Sequence, residues 1–240
     1  MKPTSSVVTA ETLRRRQSLQ SFLIWWSEVG EHLRLNRMLQ TLGARTAYGL
    51  ARDEIWPLVH FLRHLEADHT VEFCPSHAGH PEWDIEVYFS AEAPRRFQIK
   101  TTGPRWPRSD GSLADFGSAR RALTLLYGTG VSNFGPRQAD FLGEEFGDSE
   151  RMIPKRRLLR ATALGIRDVL KKTSEKYSSR HSRSLGDVEL LIHVWGLSHY
   201  FVRPQEFEAI ARLTRRSTPN LPFQSVILSG DGHGQMQVIK

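Results

Sequence analysis

The sequence predicts an α/β protein, with a mixed β-sheet of about five or six strands flanked by helices and a helical extension at the N-terminus. Three observations predict it. Apolar residues recur at helical spacing up to about residue 67, the period then switches to two in three short runs ending near residue 101, and a long basic helix leads into further strands and helices. With 240 residues, 39% of them hydrophobic, the chain is long enough for one large domain with a proper core. The lone Cys74 excludes an intrachain disulfide and fits a reducing compartment, with the cytoplasm as the default. The opening stretch MKPTSSVVTAETLRRR lacks the apolar run of a signal peptide, and Phe22 to Trp26 is far short of the ~20 apolar residues that cross a bilayer. No membrane partner is expected.

Leu19, Phe22, Leu23, Trp26, Val29 and Leu33 follow helical spacing, so residues from about 11 to 40 read as one or two amphipathic helices. Gly43 interrupts the pattern, which divides the chain into an extension over 1–42 and a domain over 43–240. A helix follows from about Thr46 to Ala67, with Ile55, Leu58, Val59, Leu62 and Leu65 on its apolar stripe and Pro57 kinking its start. Val71 to Cys74, Trp83 to Phe89 and Arg96 to Thr101 are β-rich runs separated by turn-forming residues, as adjacent strands are. From Gly103 to Gly147 the chain reads as long loops, with a helix only over Ala119 to Tyr127. After the basic helix come a strand at Val188 to Trp195, a helix at about Pro204 to Arg216, and strands at Ser225 to Leu228 and Gln235 to Ile239. The last two are joined through Gly230-Asp231-Gly232-His233-Gly234.

The net charge of +7 is not spread evenly. Eleven basic and two acidic residues lie between Arg151 and Arg183, so that the rest of the chain is slightly acidic. Such segregation marks a polyanion-facing surface more than a means of solubility. At ~100° per residue Arg156, Arg160, Arg167 and Lys171 share one side of a helix, opposite a mostly apolar side, and are candidates for tracking phosphates.

The strand Trp83-Asp84-Ile85-Glu86-Val87-Tyr88-Phe89 places Asp84, Glu86 and Tyr88 on one face, and the next strand places Arg96, Gln98 and Lys100 on one face. If the two strands pair, Asp84, Gln98 and Lys100 meet. A carboxylate, an amide oxygen and a backbone carbonyl are hard oxygen ligands suited to Mg²⁺. A lysine beside them is suited to holding an attacking water and offsetting charge that grows on phosphorus. Glu66 falls roughly 20–40° from Leu62 and Ile55 around the preceding helix, on the stripe expected to face the sheet. A carboxylate there has to be paired, protonated or bound to a metal.

Glu66, Asp84 and Gln98-Ile99-Lys100, separated by 18 and 14 residues, resemble the motif of the PD-(D/E)xK, or restriction-endonuclease-like, nuclease superfamily. The pattern of a helix glutamate, a strand aspartate and a Gln-x-Lys ending is similar to that of virus-type replication-repair nucleases and, with an acid in place of Gln, to that of archaeal Holliday-junction resolvases. The resemblance covers about residues 46 to 200, or at most to 240, and departs from the pattern twice: Gln98 stands where most members carry an acid, and Pro81 lies three residues before Asp84. It implies a restriction-endonuclease-like sheet and a metal-dependent nuclease acting on DNA, with RNA not excluded, in bacterial defence or DNA processing. Mg²⁺ or Mn²⁺ would be held by Glu66, Asp84, Gln98 and the Ile99 carbonyl, with Lys100 catalytic. The alternative is an inactive relative that binds nucleic acid or a partner. The N-terminal helices, with Phe22, Trp25 and Trp26, are expected to pack on the core or to join a homodimer or protein partner.

Other signals carry less. Cys74, His77 and His80, or His60 and His64, lack the remaining ligands of a zinc site. Gly128-Thr129-Gly130 lacks the Gly-Lys-Ser/Thr of a phosphate loop, and no serine sits in a G-x-S-x-G turn.

Overall fold

A computed structural model of the chain describes residues 10–30, 47–76, 82–89, 92–105, 155–178, 185–197, 202–215 and 221–240. Within them a sheet of seven strands runs in sequence order. β1 (Gln17–Ser18), β2 (Glu72–Pro75), β3 (Ile85–Tyr88) and β4 (Arg95–Thr102) are antiparallel neighbours. β4, β5 (Val188–Val194) and β6 (Ser225–Gly230) are parallel, and β7 (Met236–Val238) turns back antiparallel on β6. The chain is therefore mixed α/β, as its periodicity predicts.

Period-two alternation in the strands builds a separate core on each face of the sheet. Leu190, Ile192, Val194, Val226 and Leu228 point to one, where they meet Ile166 and Leu170 of α4 (Lys155–Ser178) and Phe207 and Ile210 of α5 (Pro204–Arg215). Ile85, Val87, Phe97, Ile99, Leu191 and Ile227 point to the other. There they meet Phe22 of α2 (Leu19–Trp25) and Leu58, Val59 and Leu62 of α3 (Trp56–His64). β5 is buried at every position because helices cover both faces, which is why Val-Glu-Leu-Leu-Ile-His-Val reads as an almost unbroken apolar run.

The described part of the segment expected as an extension, residues 10–30, joins this body directly. α1 (Ala10–Leu13) buries Leu13, Ser18 caps α2 by accepting from the Ser21 N–H, and β1 pairs with β2, an edge strand that helical periodicity does not reveal. Leu13, Leu19 and Phe22 lie in the same apolar cluster as α3. The helix Ala119 to Tyr127, the sequence 128–130, His77, His80 and Pro81 lie outside the described residues.

α3 is preceded by a π-helical turn, Ala51–Ile55, in which the Trp56 N–H reaches the Ala51 carbonyl. Pro57 accounts for it: with no N–H to offer the Asp53 carbonyl, it sits at the first turn of α3 and the ladder resets there. At its far end α3 closes in a Schellman arrangement, with the Glu66 N–H on the Arg63 carbonyl at 3.1 Å and the Ala67 N–H on the Leu62 carbonyl at 3.0 Å. α4 is locked along β4. A Cβ on Gly165 would lie 2.1 Å from the Gly103 carbonyl oxygen, the Arg105 N–H donates to the Ala161 carbonyl at 2.9 Å, and Arg105 Nη1 meets Asp168 Oδ2 at 2.7 Å.

Candidate active site at the β3–β4 fork

The antiparallel ladder between β3 and β4 ends where β4 does not. Val87, Glu86 and Ile85 pair with Arg95, Arg96 and Phe97, and the Asp84 N–H still reaches the Phe97 carbonyl at 2.8 Å. β4 runs on to Thr102 with β5 as its only strand partner among the described residues, so both backbone groups of Ile99 face a gap that β3 has vacated. Asp84 fills one half of that gap: its Oδ2 accepts the Ile99 N–H at 2.7 Å and a second hydrogen from Gln98 Nε2. Lys100 Nζ fills the other half, donating to the Ile99 carbonyl at 3.0 Å and standing 3.8 Å from Asp84 Oδ2. The predicted convergence of Asp84, Gln98, Ile99 and Lys100 is thus present, and its cause is a ladder that ends at the aspartate's own N–H, one residue before β3 begins.

Glu66 does not join them. The 100° step that aligned it with Leu62 holds only while the helix lasts; α3 ends at His64, and Glu66 is exposed in the left-handed region at φ 52°, as the C′ residue of the Schellman turn. The acid near the fork is Glu54, on the π-helical turn that packs beside β4. Burial first, and then the charge of Asp84, push its carboxyl up to about 7 against the opposing pull of Arg14 and Lys100. Turns of π-helix recur at functional positions because they aim a side chain that α-helical spacing would bury or expose.

Gln98 is 3% exposed, and its amide is committed on both edges. A carboxylate can only accept, so the edge facing Asp84 is the NH₂ group. The oxygen turns the other way, toward α4, and accepts from the Tyr177 hydroxyl at 2.7 Å. The expected placement of the Gln98 oxygen beside Asp84 is therefore corrected: Gln98 gives that carboxylate hydrogens.

Trp83, expected beside Ile85 and Val87, packs instead against the α4 core, with Arg96 4.3 Å over its ring, because the strand begins only at Ile85. Glu86 also lies off the fork, accepting from Arg96 Nε at 2.8 Å and from the Tyr88 hydroxyl at 3.0 Å. On α4, Arg156, Arg160 and Lys171 are exposed, with Lys171 3.9 Å from Glu175. Arg167 is partly buried and donates to the Leu213 carbonyl of α5 at 2.6 Å, so one of the four cations expected on an open face is tied down as a helix clamp.

A second polar group not anticipated from sequence lies at the carboxyl ends of β5 and β6. The His193 ring, fully buried, stacks on His60 at 4.9 Å, meets Trp195 edge-on at 4.3 Å and has Nδ1 2.8 Å from Ser229 Oγ. Burial lowers His60 to about 4 and holds His193 well below the ordinary imidazole range, so both rings are neutral. No group of three or more His, Cys, Asp or Glu side chains arranged to hold a metal is present among the described residues.

The oxygen donors at the fork are two carboxylates, Asp84 and Glu54, and the Ile99 carbonyl. They fit a hard cation in type, since all are oxygen, and in charge, since the donors that hold Asp84 are neutral and Lys100 stays 3.8 Å from it. No family model matches this chain, and no match was found among curated proteins or solved structures.

Proposed function

We propose that the chain is a metal-dependent nuclease hydrolysing phosphodiester bonds of DNA, with the β3–β4 fork as its active site. The observation that supports this most is the convergence of Asp84 and Lys100 on the Ile99 backbone in one gap that β3 leaves unpaired, with Glu54 sensing the charge of Asp84 from the adjoining turn. Asp84, Glu54 and the Ile99 carbonyl would hold Mg²⁺ or Mn²⁺, which supplies Lewis acidity toward a phosphate oxygen and acidifies a bound water. The chain's own residues do the rest. Gln98 and the Ile99 N–H fix Asp84 by two hydrogen bonds, so its carboxylate costs no reorganisation on reaction. Lys100, 33% exposed at the mouth of the gap, orients a water toward phosphorus and offsets the negative charge that grows there.

Arg156 and Arg160, exposed on α4, would hold the polynucleotide through its phosphates. Cleavage of labelled single- and double-stranded oligonucleotides with Mg²⁺ or Mn²⁺, and its loss in chelator, tests the proposal; no cleavage of any DNA or RNA form with either ion rejects it. The second reading is a nucleic-acid-binding subunit without catalysis. The Gln98 amide favours it, standing where the motif usually has an acid and turning its oxygen to Tyr177. Under that reading the exposed cations bind DNA equally well with and without the ion.

A further inference from the structure

The hydrogen bonds around Gln98 form a directed chain that crosses from helix to site. Tyr177 Oη donates to Gln98 Oε1 at 2.7 Å, Gln98 Nε2 donates to Asp84 Oδ2, and the Ile99 N–H donates to the same oxygen at 2.7 Å. The tyrosine belongs to α4, and α4 is fixed on β4 by the Gly165–Gly103 approach and the Arg105–Asp168 pair. Its ring is buried edge-on against Phe223, with centroids 5.3 Å apart and planes at 81°. Both the hydroxyl and the amide therefore have little freedom to leave the chain of bonds.

We propose that Tyr177 is a positioning residue: its hydroxyl holds the Gln98 oxygen, commits the amide to donating to Asp84, and so fixes which carboxylate oxygen faces the gap. This rests on the reading of the fork as a cation and phosphodiester site. Gln98 then serves the site as a neutral clamp on Asp84, and its oxygen is not among the cation's ligands. The physical reason is the buried amide itself. Without the tyrosine hydroxyl, Oε1 loses its donor in a site that is 3% exposed. The amide then gains nothing by keeping its orientation beyond the bond to Asp84. Turning over is no remedy, because it would set the amide oxygen against the carboxylate oxygen.

Tyr177→Phe keeps the ring and its contact with Phe223, so the fold is retained while the donor is lost. In the full, metal-free chain, hydrogen exchange of the Gln98 side-chain NH₂ is followed by ¹⁵N NMR, the signal being assigned by its disappearance in Gln98→Met. Exchange at least roughly 10-fold faster in Tyr177→Phe is expected, and an unchanged rate overturns the proposal. Mn²⁺ alone is then titrated calorimetrically into wild type, Tyr177→Phe, Gln98→Met and the double variant. Each single variant should weaken Mn²⁺ binding by roughly 10-fold, as loss of an outer-shell partner does. The double variant should be no weaker than the weaker single, because the tyrosine acts through the glutamine. Additive losses, or a large loss in Gln98→Met with none in Tyr177→Phe, overturn the positioning role and make the amide oxygen a ligand. Wild-type protein that takes up no Mn²⁺ overturns the cation reading of the fork instead, and the exchange measurement then decides the role of Tyr177 without it.

Discussion

Asp84 and Glu86 sit two residues apart beside the same hairpin, and their surroundings could hardly differ more. Glu86 is met by charge: Arg96 Nε lies 2.8 Å from one oxygen, the Tyr88 hydroxyl lies 3.0 Å from the other, and Arg96 also reaches Asp187 at 2.6 Å. Asp84 is met by neutral donors, the Gln98 amide and the Ile99 N–H, while Lys100 stays 3.8 Å away and bonds a carbonyl instead. A second acid, Glu54, is close enough for the charge of Asp84 to help raise it to about 7. A carboxylate whose charge is already matched stabilises a fold. One held in place by dipoles, with its charge left partly unmatched, is ready for a cation or a proton. Glu86 within β3 and Asp84 just before it thus serve one purpose each, and where the ladder ends decides which is which.

The largest effects should follow from breaking the unmatched half. Asp84→Ala is expected to lower single-turnover cleavage on the order of a thousandfold and to abolish Mn²⁺ binding seen by calorimetry. Glu86→Gln should leave both near wild type and cost about 1 kcal/mol or less of stability, because its ion pair is partly exposed. Equal losses of cleavage in the two variants would erase the distinction. The cations repeat the contrast. Lys100→Ala should abolish cleavage while equilibrium binding of the same oligonucleotides in Ca²⁺ stays nearly unchanged, whereas Arg96→Ala should lower the melting temperature and spare cleavage. Wild-type cleavage by Lys100→Ala would remove the lysine from the mechanism.

Much of the fork was legible in the sequence because it depends on short-range alternation. Once Ile85 and Val87, and Phe97 and Ile99, are assigned to one face, Gln98 must point to the other, as it does; its bond to Tyr177 was not legible there. The strand β5 was legible as an almost unbroken apolar run, and the basic helix α4 from its segregated charge and helical spacing. What failed was helical arithmetic across irregular backbone. The π-helical turn inserts an extra residue, so Glu54, in the charged run Arg52-Asp53-Glu54, cannot be placed by counting back from Leu58. Glu66 was placed by counting forward past the end of α3, where a left-handed residue redirects the chain without the glycine that usually announces one. Glu54 was not singled out in the sequence, where Pro57 was the available signal of a break in the count. β1 offered none, since a strand of two residues is created by its partner rather than by its own sequence.

Smaller effects are expected from pH. Glu54 is raised above its unfolded value, so the folded protein keeps a proton that the unfolded chain releases. The resulting stabilisation is complete below about pH 4.5 and lost as pH rises through about 7. His60 is lowered to about 4, so its contribution has the opposite slope: present above about pH 6.5 and lost as pH falls toward 4. Urea denaturation of wild type, Glu54→Gln and His60→Gln between pH 4 and 8 separates the two. Relative to wild type, Glu54→Gln should gain stability as pH rises, and His60→Gln should gain as pH falls. Glu86→Gln, by the comparison drawn above, should not reproduce the Glu54 slope, and if it does, burial of Glu54 is not the cause.

The finest test carries the same contrast to α4, where matched and unmatched cations lie along one helix. Arg156 and Arg160 are exposed, while Arg167 spends its guanidinium on the Leu213 carbonyl of α5 at 2.6 Å. Counterion release makes the logarithm of affinity fall with the logarithm of salt by about 0.9 for each phosphate neutralised on duplex DNA. The Arg156→Gln, Arg160→Gln pair should therefore flatten the salt dependence of duplex binding by up to about 2, with the melting temperature unchanged. Arg167→Gln should do the reverse, leaving the slope alone and lowering the melting temperature as α4 and α5 lose their clamp. Fluorescence anisotropy across a salt series, with thermal denaturation of the same preparations, reads both quantities. A slope insensitive to Arg156 and Arg160 would leave that side of α4 as a solvated surface and move the DNA contact elsewhere on the molecule.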